Sequence, residues 1–269
     1  MQPSPYSDAD FAASYDRLAL PHHFAAPARD LVNVLEVPPG ASVLDVGSGT
    51  GAVATAAREA VGPTGRVTAV EPSLALLSVL KPKRVCEAVA GAAPGLPFRA
   101  ACFDRVLASF VLSHLGEADL ALADMMRVLR PKGRLGVTAW GPGQVEAMRL
   151  WKEVVADFAS LDRLQESARS IIPWDERFSQ RVNLVQALQD AGLTGVVVHV
   201  REYQMKFRVE DWLRVRETSV EGLLLRRQLD PQRWPVLQQA MRARFEARFT
   251  NTIEYAREVL LGCGSRAAW

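Results

Sequence analysis

Cysteine is scarce and poorly spaced for chemistry. Cys86, Cys102 and Cys263 are the only three, and without a C-x-x-C pair they support neither a disulfide framework nor a zinc site, so no metal is expected. Lysine is rarer than its role as a surface cation would suggest: of 32 basic residues 27 are Arg. There is no excess of one charge. Thirty-two basic residues face 30 acidic ones, a formal net charge of +2, and division at Trp140 gives 13 of each before it and 19 against 17 after it. Neither half is a polycation, so no nucleic-acid partner is expected. Long apolar runs are missing too: the longest uncharged stretch, Val46 to Ala57, is twelve residues, well below the ~18–20 that span a bilayer. Asp8, Asp10 and Asp16 precede the first basic residue, the reverse of a secretory leader, and a reducing cytoplasm is the expected location.

What is present is an ordinary globular balance, 49% hydrophobic and 23% charged over 269 residues. Helical stretches are expected over 10–15 and 27–35, broken by Pro21, before Val37-Pro38-Pro39-Gly40 launches a strand at Ser42 to Val46. Helix follows at Ala52 to Val61, strand at Arg66 to Glu71, helix at Ser73 to Leu80, and strands at Val85 to Val89 and Phe103 to Ser109. A helix from Asp119 to Leu129 is stopped by Arg130-Pro131-Lys132-Gly133 before a strand at Arg134 to Ala139. Alternation at this spacing predicts right-handed βαβ crossovers in an α/β fold with a mostly parallel sheet. Past Trp140 the pattern turns helical, at Val145 to Leu164 and again from Glu210 to Arg227 and beyond Asp230-Pro231. Between and after these lie a helix at Asn183 to Ala191 and strands at Val196 to Phe207 and Glu258 to Cys263.

The most informative segment is Gly47-Ser48-Gly49-Thr50-Gly51-Ala52. It satisfies the loose dinucleotide pattern G-x-G-x-x-G/A between a strand and a helix, and Glu71 follows twenty residues after Gly51, where an acid would meet a ribose. Two cofactors suit such a turn, a nicotinamide dinucleotide and S-adenosylmethionine. Asp45 separates them. A carboxylate two residues before the first glycine opposes a pyrophosphate but favours a sulfonium and an ammonium.

The same residues resemble the first motif of class I S-adenosylmethionine-dependent methyltransferases, in Val43 to Gly51. Three later segments keep that family's order: Val70-Glu71-Pro72-Ser73; Gly95-Leu96-Pro97-Phe98 with Phe103 to Val106 and Ser109 to Leu115; and Arg127 to Leu135. As a set they are similar to the ubiquinone- and menaquinone-biosynthesis branch. The resemblance implies a Rossmann-like, seven-stranded sheet with an antiparallel last strand, and S-adenosyl-L-methionine as cofactor. It also implies that Gly47, Ser48, Gly49 and Gly51 cradle the methionine portion beside Asp45, and that Glu71 holds the ribose. Pro72 and Leu76 would border the adenine, the Ser109 carbonyl would face the methionine end, and Tyr15 would fold over the cofactor. One departure falls at Ala92, beside Ala93: the family usually has an acid there for the adenine amino group, and its loss costs on the order of 1 kcal/mol.

By the same resemblance the segment holding His114 borders the methyl group, which makes His114 the candidate general base. His22 and His23 are expected at the surface. Residues 10–141 are expected to form the cofactor-binding core of one domain, with returning strands at 196–207 and 255–266. The helical insertions at 145–180 and 209–250 would lie on the cofactor side and form a lid over a largely apolar pocket. The expected partner is a small-molecule acceptor, methylated at oxygen by a monomer or homodimer. A methyltransferase acting on RNA or protein, and a cofactor-binding protein without catalysis, are the competing readings.

Overall fold

A computed structural model describes residues 5–268. Its seven strands form one sheet: β1 Ser42–Val46, β2 Arg66–Glu71, β3 Glu87–Ala90, β4 Phe103–Ser109, β5 Leu129–Trp140, β6 Leu193–Arg208 and β7 Thr252–Arg266. The spatial order is β3-β2-β1-β4-β5-β7-β6. β1 to β5 pair in parallel, and β7 runs antiparallel to both of its neighbours. The Rossmann-like sheet expected from the sequence is therefore present, with β7 inserted between β5 and β6. Order reverses between β1 and β4, and in open α/β sheets the crevice beyond the strand ends at such a switch point takes the ligand.

Both faces of the sheet are covered. On one side α2 Ala25–Val34, α3 Ala52–Val61 and α4 Leu74–Leu80 pack Leu31, Leu35, Val53, Ala57 and Leu77 against Val43, Val67 and Leu107. On the other, α5 Ala118–Val128, α8 Asp175–Phe178 and α9 Arg181–Asp190 bring Leu122, Met125, Phe178 and Leu188 against Leu44, Val106 and Val137. Parallel strands buried on both faces read as apolar runs, which is why Val43, Leu44 and Val46 interrupt their apolar sequence only for Asp45.

The helical boundaries depart from expectation in three places. Pro21 does not break the N-terminal helix: α1 Ala9–Ser14 continues as a π-helical stretch, Tyr15–Phe24, into α2. Pro21 has no N–H to donate within this stretch, and the π register stands where an α-helical one would drive its ring against an i−4 carbonyl. The stretch expected as one helix from Val145 to Leu164 is two, α6 Glu146–Ala156 and α7 Leu161–Arg169, because Ser160 caps the second through Arg163 N. Likewise Glu210 to Arg227 divides into α10 Val209–Glu217 and α11 Val220–Gln228, with Ser219 Oγ accepting from Gly222 N at 3.2 Å. Gly222 lets the turn close, since a Cβ there would sit 2.0 Å from the Arg216 carbonyl oxygen. The helix α12 Arg233–Arg248 begins after an Asp230–Gln232 turn.

β6 and β7 are also longer than expected. Pairing with β5 ends at Trp140 opposite Val259, whereas β6 and β7 remain paired to Arg208 opposite Thr252. At ~3.4 Å per residue, the ribbon of residues 202–208 and 252–258 extends about 20 Å past the carboxyl end of β5. Its Met205, Phe207 and Ile253 are buried with Trp151, Trp212, Leu237 and Phe245 of α6, α10 and α12. The ribbon thus carries the helical block to the carboxyl edge of the parallel strands.

Candidate cofactor and acceptor site

The glycine turn is built by backbone conformations that side chains resist. Gly47, Gly49 and Gly51 have φ of +63°, +55° and +96°, where a residue with a Cβ costs roughly 1–2 kcal/mol. At Gly47 there is a second constraint, because a Cβ would lie 2.6 Å from a Val111 methyl. Gly51 caps α3 without a side chain. Asp45 supplies the missing acceptor from β1, taking the Ala54 N–H at 3.0 Å.

Asp45 and Glu71 are both buried, at 1% and 6% exposure. Burial raises the pKa of each carboxyl above its ordinary value, and the neighbouring Glu71 charge raises Asp45 further. Two desolvated acids side by side are stabilised by a cation between them. Glu71 is held at both oxygens: Oε2 accepts from Gly49 N and Oε1 from Ser73 N, each at 2.9 Å. Each oxygen keeps a second lone pair for a hydroxyl, the geometry a vicinal diol requires. Ser48 Oγ and Thr50 Oγ1 are buried without a hydrogen-bond partner among the described residues, and such groups in a native turn call for a ligand or water.

The other expected cofactor residues divide between the site and its supports. The Tyr15 ring lies 3.6 Å from the position a Cβ of Gly49 would take and stacks on Phe24 with centroids 5.2 Å apart. Beside it, Asp16 pairs with Lys83, whose Nζ also donates to the Thr50 carbonyl at 2.8 Å. Pro72 and Ala92 are exposed, whereas Leu76 and Ala93 are buried, Leu76 against Phe11. The Leu76 side chain is therefore turned to the N-terminal helix, and that of Ala93 packs in the core with Leu96. Ser109 Oγ is 2.8 Å from Thr138 Oγ1, tying the ends of β4 and β5.

His114 ends a 3-10 turn, Leu112–His114, after β4. Its Nδ1 is 2.9 Å from the Tyr6 hydroxyl, a partner the sequence reading missed. Tyr6 is placed by Ser73, whose Oγ donates to the Tyr6 carbonyl at 2.5 Å. The same Ser73 amide binds Glu71, so the acid and the Tyr6–His114 pair share one support. His114 keeps accessible surface, yet desolvation by the surrounding protein pushes its pKa down to about 4. Burial and the Glu71 and Glu221 charges push the Tyr6 phenol up. Both groups are neutral at pH 7. From the other side, Trp174 N donates to the Ser113 carbonyl at 3.3 Å, and Trp174 Nε1 to that of Gly116 at 3.3 Å.

Polar and aromatic side chains gather beyond the strand ends. His22 is exposed as expected, but His23 is half-buried: its Nε2 is 2.7 Å from the Tyr255 hydroxyl, and burial, with Arg257 nearby, lowers its pKa to about 3. The buried Phe110 ring stacks against Trp140 with centroids 4.3 Å apart. Arg257 lies over the Trp140 ring at 4.1 Å. From the helical block, Arg216 pairs with Glu221 and Thr218 Oγ1 donates to Ser14 Oγ at 3.2 Å. A groove of about 890 Å³ lies within the helical block between Trp151, Leu213, Leu237 and Met241, and no residue of the glycine turn lines it.

Among the described residues no group of three or more His, Cys, Asp or Glu is placed to hold a metal ion, and no helix is long and apolar enough to cross a membrane.

Comparison with known proteins agrees with this geometry. A family model described as a methyltransferase domain matches residues 44–137. Demethylmenaquinone methyltransferase of Renibacterium salmoninarum is 32% identical over 179 residues, covering 62% of this chain and 73% of that protein. Nocamycin O-methyltransferase of Saccharothrix syringae is 34% identical over 148 residues, covering 52% and 51%, so the chain spans about half the length of that relative. Phosphoethanolamine N-methyltransferase 2 of Haemonchus contortus, solved with phosphomonomethylethanolamine and S-adenosylhomocysteine, shares the fold at a TM-score of 0.60 and 16% identity, over 99% of this chain and 61% of that one. This chain belongs to the class I S-adenosylmethionine-dependent methyltransferases, in the branch that includes the ubiquinone- and menaquinone-biosynthesis enzymes.

Proposed function

We propose that this protein transfers the methyl group of S-adenosylmethionine to an oxygen of a small organic acceptor held between the glycine turn and the helical block. The observation that carries the reading is the Tyr6–His114 pair, set beside Glu71 through Ser73. The residues present suit the cofactor. Glu71 would take the ribose hydroxyls, the turn from Gly47 to Gly51 the methionine portion, and Asp45 would lie near its positive groups. Bound there, the sulfonium supplies a methyl carbon open to in-line displacement.

The chain's own part is alignment, exclusion of water and the handling of one proton. An acceptor hydroxyl must lose its proton as the oxygen–carbon bond forms. For His114 to receive it at Nε2, its neutral ring must carry hydrogen on Nδ1 and donate it to Tyr6 Oη, which fixes the tautomer. Tyr6 then keeps its own O–H for a second contact. Helices α6, α7 and α10 to α12 serve as the lid proposed for 145–180 and 209–250, anchored by Thr218 to Ser14 and by the long β6–β7 ribbon.

Methylation at carbon is the second reading, favoured by the match to a demethylmenaquinone methyltransferase. A hydroxylated ring bound at the Tyr6–His114 pair would be activated at the adjacent carbon by the same proton transfer. Radiolabelled methyl transfer from the cofactor to a panel of phenols and hydroquinones, with the product's linkage read by mass spectrometry, separates the two. Transfer to oxygen that survives His114→Gln unchanged would remove the proton-transfer role. The absence of transfer to any small acceptor, with transfer to protein or RNA instead, would overturn the reading.

A further inference from the structure

One ammonium group joins the glycine turn to the N-terminal segment. Lys83 Nζ lies 2.5 Å from Asp16 Oδ1 and donates to the Thr50 carbonyl at 2.8 Å. Its own position is set from elsewhere, because Lys83 ends the 3-10 turn Lys81–Lys83 that follows α4. Leu80, just before that turn, seats α4 on Gly51, where a Cβ would meet its Cδ1 at 2.4 Å. Asp16 is therefore drawn to a cation already fixed on the turn. Next to it, the Tyr15 ring rests against Gly49, 3.6 Å from where a Cβ would stand. Burial pushes the Tyr15 phenol pKa up, and the Glu71, Tyr6 and Asp45 charges push the same way, so the hydroxyl lies within electrostatic reach of both acids.

The rest of this segment is lightly held. Phe11 and Ala12 pack with Leu76 in a small cluster separate from the cores on the two faces of the sheet. The six residues of α1 are far fewer than the ~12–15 at which an isolated helix becomes even marginally stable. Ser73 Oγ to the Tyr6 carbonyl, Tyr6 to His114 and Thr218 to Ser14 are single hydrogen bonds, each worth a net ~0.5–1.5 kcal/mol. The Lys83 and Asp16 side chains remain 29% and 28% exposed, so solvent can part them. A pivot is at hand as well. Pro21 donates no N–H within the π-helical stretch, whereas α2 beyond it is anchored through Ala28, Leu31 and Val32. Elements with few buried contacts open at low free energy, and here opening leaves the sheet intact.

We propose that residues 6–20 form a gate over the S-adenosylmethionine site and that Lys83 is the positioning residue that latches it. The inference rests on the methyltransferase reading above and extends it to cofactor exchange. S-adenosylmethionine enters and S-adenosylhomocysteine leaves when Asp16 parts from Lys83 and Tyr15 swings off Gly49. Closing the gate also brings Tyr6 to His114. The proton-handling pair is then complete only over an enclosed cofactor.

The test follows release of labelled S-adenosylhomocysteine from the full chain after addition of excess unlabelled ligand, in wild type, Lys83→Met, Lys83→Arg and Asp16→Asn. Lys83→Met and Asp16→Asn should each speed release at least tenfold while the ligand-free proteins melt as wild type does, and Lys83→Arg should restore slow release. Raising salt from about 0.1 M to about 1 M shortens the screening length from ~10 Å to ~3 Å. This should speed release from wild type and leave Lys83→Met unchanged. A second construction closes the gate instead: Ser14→Cys with Thr218→Cys, oxidised and with the bridge confirmed by mass, should slow exchange at least tenfold until it is reduced. Release at the wild-type rate from Lys83→Met and Asp16→Asn, with or without a lower melting temperature, or unhindered exchange through the oxidised bridge, overturns the proposal. Binding in wild type keeps the two readings apart: normal binding with unaltered release rates removes only the gate, whereas no S-adenosylhomocysteine binding by wild type removes the methyltransferase reading itself.

Discussion

Tyr6 and His114, 108 positions apart in sequence, meet at 2.9 Å between the Tyr6 hydroxyl and His114 Nδ1, with their rings edge to face. Neither side chain is held by its own secondary structure alone. Tyr6 is fixed by Ser73, and His114 by the turn after β4. If the pair acts as a unit, Tyr6→Phe and His114→Gln should each lower kcat by ten- to a hundredfold while the double variant loses little more than the worse single one. Kinetics of the four proteins check this: additive losses would mean that the two residues act separately.

The pH behaviour follows from the depressed imidazoles. His114 falls from the ordinary 6.5 to about 4 and His23 to about 3. As pH drops the unfolded chain takes up these protons first. The stability tied to the neutral rings is therefore fully present above about pH 6.5 and is lost as pH falls towards 4 and 3. NMR of the imidazoles, assigned with His114→Gln and His23→Gln, should show both rings neutral at pH 5.5. Titration of either with a midpoint near 6.5 would contradict the assignment.

Asp45 sets stability against binding. Its carboxylate is desolvated and its pKa raised, yet one oxygen is needed by Ala54 N at the start of α3. Asp45→Asn retains an acceptor oxygen and removes the buried charge. Melting temperature should stay level or rise, while affinity for S-adenosylmethionine falls about tenfold. A fall in both would assign Asp45 a structural role only.

Gly47 tests the turn itself. Its φ of +63° and the 2.6 Å approach to a β-branched Val111 methyl leave little room for relaxation. Gly47→Ala should cost about 2–4 kcal/mol by strain and overpacking together, measured by chemical denaturation. At Gly49 a Cβ meets Tyr15 only at 3.6 Å, so Gly49→Ala should cost the φ penalty alone, about 1–2 kcal/mol. Equal losses at the two positions would mean that Val111 yields.

The half of the chain before Trp140 was legible because its signals are local. β1, α3, β2 and β4 match their expected spans residue for residue, since Pro-Pro-Gly, Gly-Pro and the glycine turn mark their ends in neighbouring positions. Glu71 and Asp45 were found by spacing from that turn. After Trp140 the breaks depend on hydroxyl caps, Ser160 and Ser219, set within apolar stripes that read as continuous helix. Both serines were signals that helix-start rules allow. The carboxyl end of β6 was legible to within one residue, from the alternation of Tyr203, Met205 and Phe207 with polar residues, but the early start of β7 at Thr252 was not, because no proline or glycine separates it from the preceding helix. Tyr6, His23 and Arg257 reach the strand ends from distant segments, and no spacing in a single sequence links them.

The central claim is that the Gly47–Gly51 turn and Glu71 form a working S-adenosylmethionine site. Calorimetric titration of the full chain with S-adenosylhomocysteine tests it directly, with Glu71→Ala as the paired variant. The account predicts one saturable site per chain in wild type, weakened at least tenfold in Glu71→Ala because the ribose hydroxyls lose both acceptor oxygens. No binding by wild type up to millimolar ligand, or equal binding by the variant while it remains folded, would contradict it.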